Sequence, residues 1–301
     1  MELRTLRAFV EVVRQGGFSQ AARTVFATQS TVSKAVKQLE DELGLVLLDR
    51  LGHRSTLTAA GEIVYRRAVA MLAERDDLIA ELQELRGLRR GVLRLGLPPI
   101  GSATLFAPAF AAFRSRYPGV EIRLQEHGSK RLEELVLAGE LELAASLLPA
   151  AETLDWAEVR REPVDALLAT DHALAGRAAI GLRELAAEPF VLFESGFALN
   201  PIILQACARA GFTPTVAARS SQVDFMLALV AAGLGVGFLP RMIVAERRPA
   251  GLRAVPLTDA GTDWDMAIVW RRGGFLSHAA KAWLALVGAD AGGASTPAQN
   301  G

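Results

Sequence analysis

A group of polar side chains near the start of the chain has the types and spacing that suit contact with DNA. These side chains carry amide, hydroxyl and ammonium groups and follow one another within a nine-residue stretch; they belong to Gln29, Ser30, Thr31, Ser33, Lys34 and Lys37. Glutamine pairs with adenine edges, lysine reaches guanine or phosphate, and serine and threonine serve either. The same side chains are also typical of a solvated amphipathic helix. We predict that all six contact DNA.

Apolar residues around this group predict the elements that position it. Valine and leucine recur at the spacing of one face of an α-helix, at Val32, Val36, Leu39 and Leu43. A shorter helix is expected just before it, with Ser19 as its N-cap and Ala21, Ala22, Val25 and Phe26 pointing inward. Thr28 or Gln29 begins the second helix. Residues 17–43 therefore predict a helix-turn-helix whose second helix enters the major groove.

Two further segments extend this predicted DNA-binding region. A helix is expected over residues 3–15, and residues 47–57 contain a basic turn between two short apolar stretches, which indicates a β-hairpin wing. Arg50 and Arg54 would then lie beside the phosphate backbone or the minor groove. A surface hairpin with incidental arginines remains the alternative for these two residues.

A single long helix is predicted from residue 58 to about residue 88. Its apolar positions alternate steps of four and three, with one arginine among them: Val64, Ala68, Met71, Arg75, Leu78, Leu82 and Leu85. This spacing is that of a short coiled coil, which needs a partner helix. A second copy would give a two-fold dimer that binds inverted half-sites. Packing of the helix against the α/β domain of its own chain is the alternative.

Composition limits the classes of function. The 301 residues suit two domains, and 33 basic residues balance 33 acidic ones, so binding to DNA requires placed contacts and dimerisation. The single cysteine, Cys207, excludes an intrachain disulfide and a cysteine-based zinc site. Four scattered histidines and the absence of a catalytic motif argue against an enzyme, a metal and a cofactor. Without a signal peptide or an apolar run long enough to cross a membrane, a cytoplasmic protein is expected.

Beyond residue 91, eight predicted strands alternate with five predicted helices, which indicates a mostly parallel sheet. Ligands of such sheets bind beyond the carboxyl ends of strands, where the first N–H groups of helices point. Ser102 and Ser129 fall at two such junctions and would bind a small anion, although both could simply cap their helices. An apolar wall is predicted from Pro99, Ile100, Phe193 and Phe197.

Nearly the whole chain resembles the LysR-type transcriptional regulators. The resemblance rests on three segments between residues 6 and 65: LRAFVEVVRQGGFSQAAR, TQSTVSKAVKQLEDELGLVLLDR and STLTAAGEIVY. It implies a winged helix-turn-helix followed by an α/β effector domain, whose two subdomains close on a ligand like those of a type 2 periplasmic binding protein. It also implies a bacterial regulator that binds promoter DNA as a homodimer or homotetramer, with RNA polymerase as a further partner. At Ser102 and Ser129 the family usually contacts its effector.

Domain boundaries follow from the same resemblance. The DNA-binding domain would cover residues 1–58, the linker helix and hinge 59–90, and the effector domain 91–288. Subdomain I would comprise residues 91–163 and 266–288, subdomain II residues 164–265, and the tail 289–301 would be disordered. The chain departs from the family at Ser30, where many members have proline, and in having few arginines in its effector loops. A mono-anionic or largely apolar effector is therefore expected. A solute carrier whose N-terminal helices contact a protein is a second hypothesis, which the polar front of residues 29–37 disfavours.

Overall fold

The computed structural model describes residues 1–51, 54–85, 91–247 and 249–290. The chain divides into two compact units. The first comprises residues 1–87 with 137–140 and 273–275, and the second comprises residues 88–136, 141–272 and 276–301. The predicted tail lies outside the described residues from residue 291 onward, and so do residues 87–90 of the hinge predicted at residues 87–91.

The first unit is a three-helix core with a hairpin and a long fourth helix. Its elements are α1 (Leu3–Gln15), α2 (Phe18–Thr24), α3 (Gln29–Leu43), β1 (Leu48–Leu51), β2 (Arg54–Leu57) and α4 (Ala59–Leu85). Phe9 of α1 and Val36 and Leu39 of α3 are fully buried in its core, together with Leu47. The predicted bounds of the first helix, the start at Thr28 or Gln29 and the hairpin are confirmed.

Two sequence predictions about α2 are wrong. Gly17, rather than Ser19, is the N-cap residue, and Ser19 lies within the first turn of the helix. Phe26 is 97% exposed instead of buried. The reason is local: the backbone of Phe26 has a φ of 52°, so the helical spacing that would point its ring inward ends at Val25.

The predicted coiled-coil seam of α4 divides into two parts. Ala68 is buried in the core of the first unit, so the prediction that this position faces a partner is wrong; Val64 is half-buried and packs against the same core. Farther along, Met71, Leu78 and Leu82 are 44%, 56% and 51% exposed. The first half of α4 covers the small core formed by α1 and α3, whereas its second half leaves an apolar stripe in solvent.

The second unit is α/β, and the strands among its described residues form three sheets. Its elements are β3 (Val92–Leu97), α5 (Ser102–Arg116), β4 (Glu121–Glu126), α6 (Ser129–Leu137), β5 (Leu143–Leu147), β6 (Leu154–Glu162), β7 (Val164–Ala169), a 3₁₀ helix (Leu182–Leu185), β8 (Phe190–Phe193), α7 (Leu199–Arg209), β9 (Val216–Ser220), α8 (Val223–Ala231), β10 (Gly237–Pro240), α9 (Arg241–Arg247), β11 (Leu252–Pro256), β12 (Trp264–Arg271) and α10 (His278–Asp290).

The strand pairs of the second unit are both parallel and antiparallel, so the prediction of a mostly parallel sheet is wrong. A five-stranded sheet has the order β4-β3-β5-β12-β6, in which β3 pairs in parallel with β4 and β5, and β12 is antiparallel to β5 and β6. Strands β10-β7-β11 form an antiparallel sheet, and β8 and β9 a parallel pair. Strand β6 escaped prediction because its sequence, LDWAEVRRE, is mostly charged and lacks the apolar run of the other strands.

The chain leaves the five-stranded sheet after β6, enters the three-stranded sheet at β7, and returns to the five-stranded sheet at β12. The predicted subdomain boundary at residue 163 falls between β6 and β7, and β12 begins at Trp264, two residues before the predicted second boundary. At the first crossing Asp165 is buried and accepts hydrogen bonds from Nε and Nη2 of Arg241, with the shortest distance 2.8 Å. This ion pair joins the beginnings of β7 and α9.

Breaking this pair from its two sides is expected to have unequal effects on stability. Arg241→Met leaves a buried carboxylate without its cation and should lower the free energy of unfolding by about 2 kcal/mol. Asp165→Asn should cost less, because the side chain of Arg241 is 48% exposed and stays hydrated. Chemical denaturation measures both. Arg161→Met is the control, since its partner Asp265 is less buried; equal losses for Arg241→Met and Arg161→Met would contradict the account.

Candidate DNA interface and effector pocket

The N-terminus of α3 is organised by Thr28, the residue that caps the helix. Its Oγ1 accepts a hydrogen bond from the backbone N–H of Thr31 at 3.2 Å. The hydroxyls of Ser30 and Thr31 lie 2.9 and 2.8 Å from the same oxygen. Three hydroxyl groups are therefore held together beside the free N–H groups of the first turn, where a phosphate oxygen binds readily.

The six residues predicted to contact DNA lie on one side of this helix. Five of them are exposed and Ser33 is half-buried, whereas Val32, Val36 and Leu39 on the opposite side are buried. Helix α3 thus presents amide, hydroxyl and ammonium groups to solvent over a back that is fixed in the core. The arrangement is the one that the sequence predicts; that these side chains contact DNA stays a prediction.

The hairpin is attached to the end of α3 by one carboxylate. Oε1 of Glu40 accepts hydrogen bonds from the backbone N–H groups of Leu47 and Leu48, at 2.8 and 3.2 Å. Helix α4 packs closely against the same loop at Gly61. A Cβ at this position would lie 2.0 Å from the carbonyl oxygen of Leu47, so only glycine fits there. The backbones of Arg50 and Arg54 lie in β1 and β2. Their side chains, and so their predicted contacts, lie outside what the structure describes.

A small pocket lies between the sheets of the second unit. It is lined by Pro98, Ile100, Gly128, Ser129, Leu147, Phe197, Ala198, Leu199, Trp264 and Met266. The volume open to water is about 10 Å³, which is room for one water molecule. The loops at Gly128 and Gly196 approach closely, since a Cβ on Gly128 would lie 2.5 Å from the carbonyl oxygen of Gly196. An organic ligand is larger than this volume, so the pocket must widen to hold one.

Three of the six predicted effector contacts, Ile100, Ser129 and Phe197, line this pocket together. The other three do not. Pro99 is exposed beside Pro98, and the hydroxyl of Ser102 donates to the carbonyl oxygen of Pro98. Phe193 is buried and stacks on Phe197, with 5.2 Å between ring centroids. The effector roles of all six stay predictions.

Comparison with known proteins gives this geometry its context. Residues 3–62 match the family described as "Bacterial regulatory helix-turn-helix protein, lysR family", and residues 86–292 match the "LysR substrate binding domain". This chain belongs to the LysR family. The predicted fold class, a winged helix-turn-helix followed by a substrate-binding domain of two α/β subdomains, is thereby confirmed, as is the function of a DNA-binding transcription regulator.

The LysR-type regulator has relatives over nearly its full length. It is 36% identical over 285 residues to the HTH-type transcriptional regulator YwbI of Bacillus subtilis, covering 94% of this chain and 95% of the relative. It is 32% identical to the HTH-type transcriptional regulator BudR of Raoultella terrigena over 280 residues, covering 90% and 95%. A variant of full-length OxyR from Pseudomonas aeruginosa has a similar structure, with a TM-score of 0.67, 23% identity and coverage of 97% and 94%.

Several residues that shape the pocket of this LysR-type regulator escaped the sequence analysis. Trp264 and Met266 come from β12, more than a hundred residues from Ile100 and Ser129, and no local pattern joins them. Asn200 is buried and holds the strand end behind Phe197: its amide accepts from the N–H of Phe193 at 3.1 Å and donates to that residue's carbonyl at 2.7 Å. A single asparagine in an apolar stretch gives no signal of this role.

Behind the pocket, Glu133 of α6 accepts a hydrogen bond from the hydroxyl of the fully buried Ser146. Burial raises the pKa of the Glu133 carboxyl above its usual value, and the hydrogen bond from Ser146 partly offsets that rise. Elsewhere, burial of Cys207 raises the pKa of its thiol to about 11. Cys207 is therefore a thiol at neutral pH and does not resemble a reactive cysteine.

Replacing Glu133 by glutamine is expected to change how stability depends on pH. The pKa of Glu133 is higher in the folded state than in the unfolded state. Its contribution to the free energy of unfolding is therefore fully present below the unfolded-state pKa, and it is lost as the pH rises through the folded-state pKa. Glu133→Gln should therefore melt at a higher temperature than the wild type near pH 8 and at the same temperature near pH 4. Thermal melts at both pH values test this. Glu134→Gln, an exposed neighbour paired with Arg131, is the control and should gain nothing near pH 8.

Proposed function

We propose that this LysR-type regulator binds inverted-repeat promoter DNA through α3 and the hairpin wing. A small organic effector in the pocket between the subdomains then changes the placement of the DNA-binding dimers. The observation that carries the proposal is the exposed polar side of α3 above a fully buried apolar back. Gln29, Ser30, Thr31 and Lys34 occupy the first two turns, the part of a recognition helix that reaches base edges.

The chemistry of the pocket supports an effector with little charge. Of its ten lining residues none carries a charge, and Ser129 supplies the one side-chain hydroxyl. Ser129 is buried and begins α6, where backbone N–H groups are free to bind one carboxylate. A mono-anion with an apolar body, or an apolar compound, fits this lining better than a dicarboxylate, which would need buried cations.

Oligomerisation follows from the exposed half of α4. Proteins of the LysR family form oligomers, and we propose that Met71, Leu78 and Leu82 pair with the same residues of a second copy. A homodimer or a homotetramer would place two recognition helices on successive turns of DNA. The mild excess of basic residues in residues 1–58, eight against six, makes this doubling of contacts necessary for tight binding.

A regulatory rather than a catalytic role completes the proposal. The pocket contains no histidine, carboxylate or thiol beside Ser129 that could act as a general base. Within the described residues no cluster of metal-ligating side chains occurs. None of the described helices combines the length and hydropathy needed to span a bilayer. We propose that the protein acts on the chromosome in the cytoplasm, with RNA polymerase as its partner at the promoter and without a cofactor.

Transcript profiling tests this function in the host bacterium. The wild-type protein and Lys34→Ala would each be expressed at equal level in cells that lack the chromosomal copy, and all transcripts sequenced. The wild type should change the transcripts of a small set of genes, and Lys34→Ala should leave them at the level of the empty strain. Identical profiles for both proteins would contradict a regulator that acts through α3.

A further inference from the structure

Phe26 lies in the turn between α2 and α3 and has an unusual environment for an aromatic residue. Its side chain is 97% exposed. Its φ of 52° makes it the one non-glycine residue with a positive φ among the residues that the structure describes. An apolar ring in water and a left-handed backbone are each unfavourable for phenylalanine.

The hydrogen bonds of this turn show that glycine would fit the position better. The N–H of Ala27 donates to the carbonyl of Ala22 at 2.9 Å, and the N–H of Phe26 donates to the carbonyl of Arg23 at 3.3 Å. These two bonds form a Schellman motif at the end of α2, with Phe26 as its left-handed residue. Glycine is preferred there because it has no Cβ to crowd the backbone. The turn therefore does not need a phenylalanine for its own stability.

The position of Phe26 relative to α3 indicates what its ring can contact. Phe26 lies two residues before Thr28, the cap of α3, and three before Gln29, whose side chain is exposed. In helix-turn-helix proteins the first helix crosses the DNA backbone and the start of the second reaches base edges. A side chain in the turn between them lies at the edge of the major groove. The apolar groups of DNA there are thymine methyl groups and deoxyribose carbons.

We propose that the ring of Phe26 contacts DNA at the edge of each half-site, with a thymine methyl or a deoxyribose as its apolar partner. The proposal rests on the proposed function and adds to it a residue outside α3 and the wing. Binding buries the ring that is exposed in the free protein, so the cost of phenylalanine in this turn is offset only on DNA.

The experiment compares Phe26→Gly and Phe26→Leu with the wild type, all as full-length proteins, on a DNA fragment that the wild type selects. Phe26→Gly should melt at a higher temperature and bind about tenfold more weakly. Its dependence of affinity on salt should be unchanged, because no charge is removed. Phe26→Leu keeps an apolar side chain and should retain most of the affinity.

A duplex with deoxyuridine in place of thymidine identifies the partner. If the ring contacts a thymine methyl, this duplex weakens binding by the wild type more than binding by Phe26→Gly. If it contacts deoxyribose, the two proteins lose equally. Full affinity of Phe26→Gly beside reduced affinity of Lys34→Ala would overturn the proposal and leave the proposed function standing.

Two other outcomes would also overturn it. Phe26→Gly could bind DNA normally yet fail to change transcription in vitro, which would assign the ring to a protein partner. A wild-type protein that selects no DNA fragment would overturn the proposed function together with the role of Phe26.

Discussion

Lys34→Ala is expected to lower the affinity of the full-length protein for its DNA site by about a hundredfold, since each dimer loses two contacts with guanine or phosphate. Lys34 is exposed on the polar side of α3 and contributes nothing to the core, so the fold should be unaffected. If the contacts are to phosphate, the slope of log affinity against log salt concentration should fall by about two. Fluorescence anisotropy titrations at several salt concentrations measure both quantities.

Two variants make this result specific. Gln29→Ala should also weaken binding, but with an unchanged salt slope, because glutamine carries no charge. Lys130→Ala removes the same kind of exposed side chain from α6 of the second unit and should bind as the wild type does. Full affinity of both Lys34→Ala and Gln29→Ala would show that α3 is not the recognition helix.

Leu78→Asp is expected to dissociate the oligomer and to lower affinity for an inverted repeat by more than about a hundredfold, because a monomer contacts one half-site. Leu78 lies seven residues after Met71 and four before Leu82, and all three are exposed. These spacings place them on one stripe of α4. An aspartate there puts two carboxylates into the interface between copies. Sedimentation velocity measures the oligomeric state.

The control for Leu78→Asp is Arg66→Asp, which places a carboxylate on the same helix at least about 120° around its axis from the stripe. It should leave the oligomer intact. Because Leu78 is 56% exposed, Leu78→Asp should also keep its circular dichroism spectrum. An oligomer that survives Leu78→Asp would show that another surface joins the copies.

The parts of the fold that could be predicted are those that local periodicity determines. Val32, Val36 and Leu39 recur at helical spacing with no glycine or proline among them, so the side of α3 left for DNA follows from the sequence. Helix α1 has the predicted bounds for the same reason. Phe26 is an exception to this rule. Its spacing predicts a position in the core, but the turn at the end of α2 leaves it exposed.

The features that escaped prediction depend on pairing between distant segments. Strand β12 lies between β5 and β6 and antiparallel to both, and only that pairing brings Trp264 and Met266 into the pocket. Likewise the sequence of α4 predicts one continuous coiled-coil seam, but Ala68 is buried in the core that α1 and α3 form. No local pattern distinguishes a residue that faces a second copy from one that faces its own chain.

Capture of fragmented genomic DNA on the purified protein, followed by sequencing, tests most directly that this LysR-type regulator recognises specific sites through α3. Lys34→Ala would be run alongside at the same salt concentration, after both proteins are shown to be folded and oligomeric. A few enriched fragments that share an inverted repeat, and that Lys34→Ala does not enrich, are the predicted result. Absence of enrichment by the folded wild type even at low salt would contradict the account.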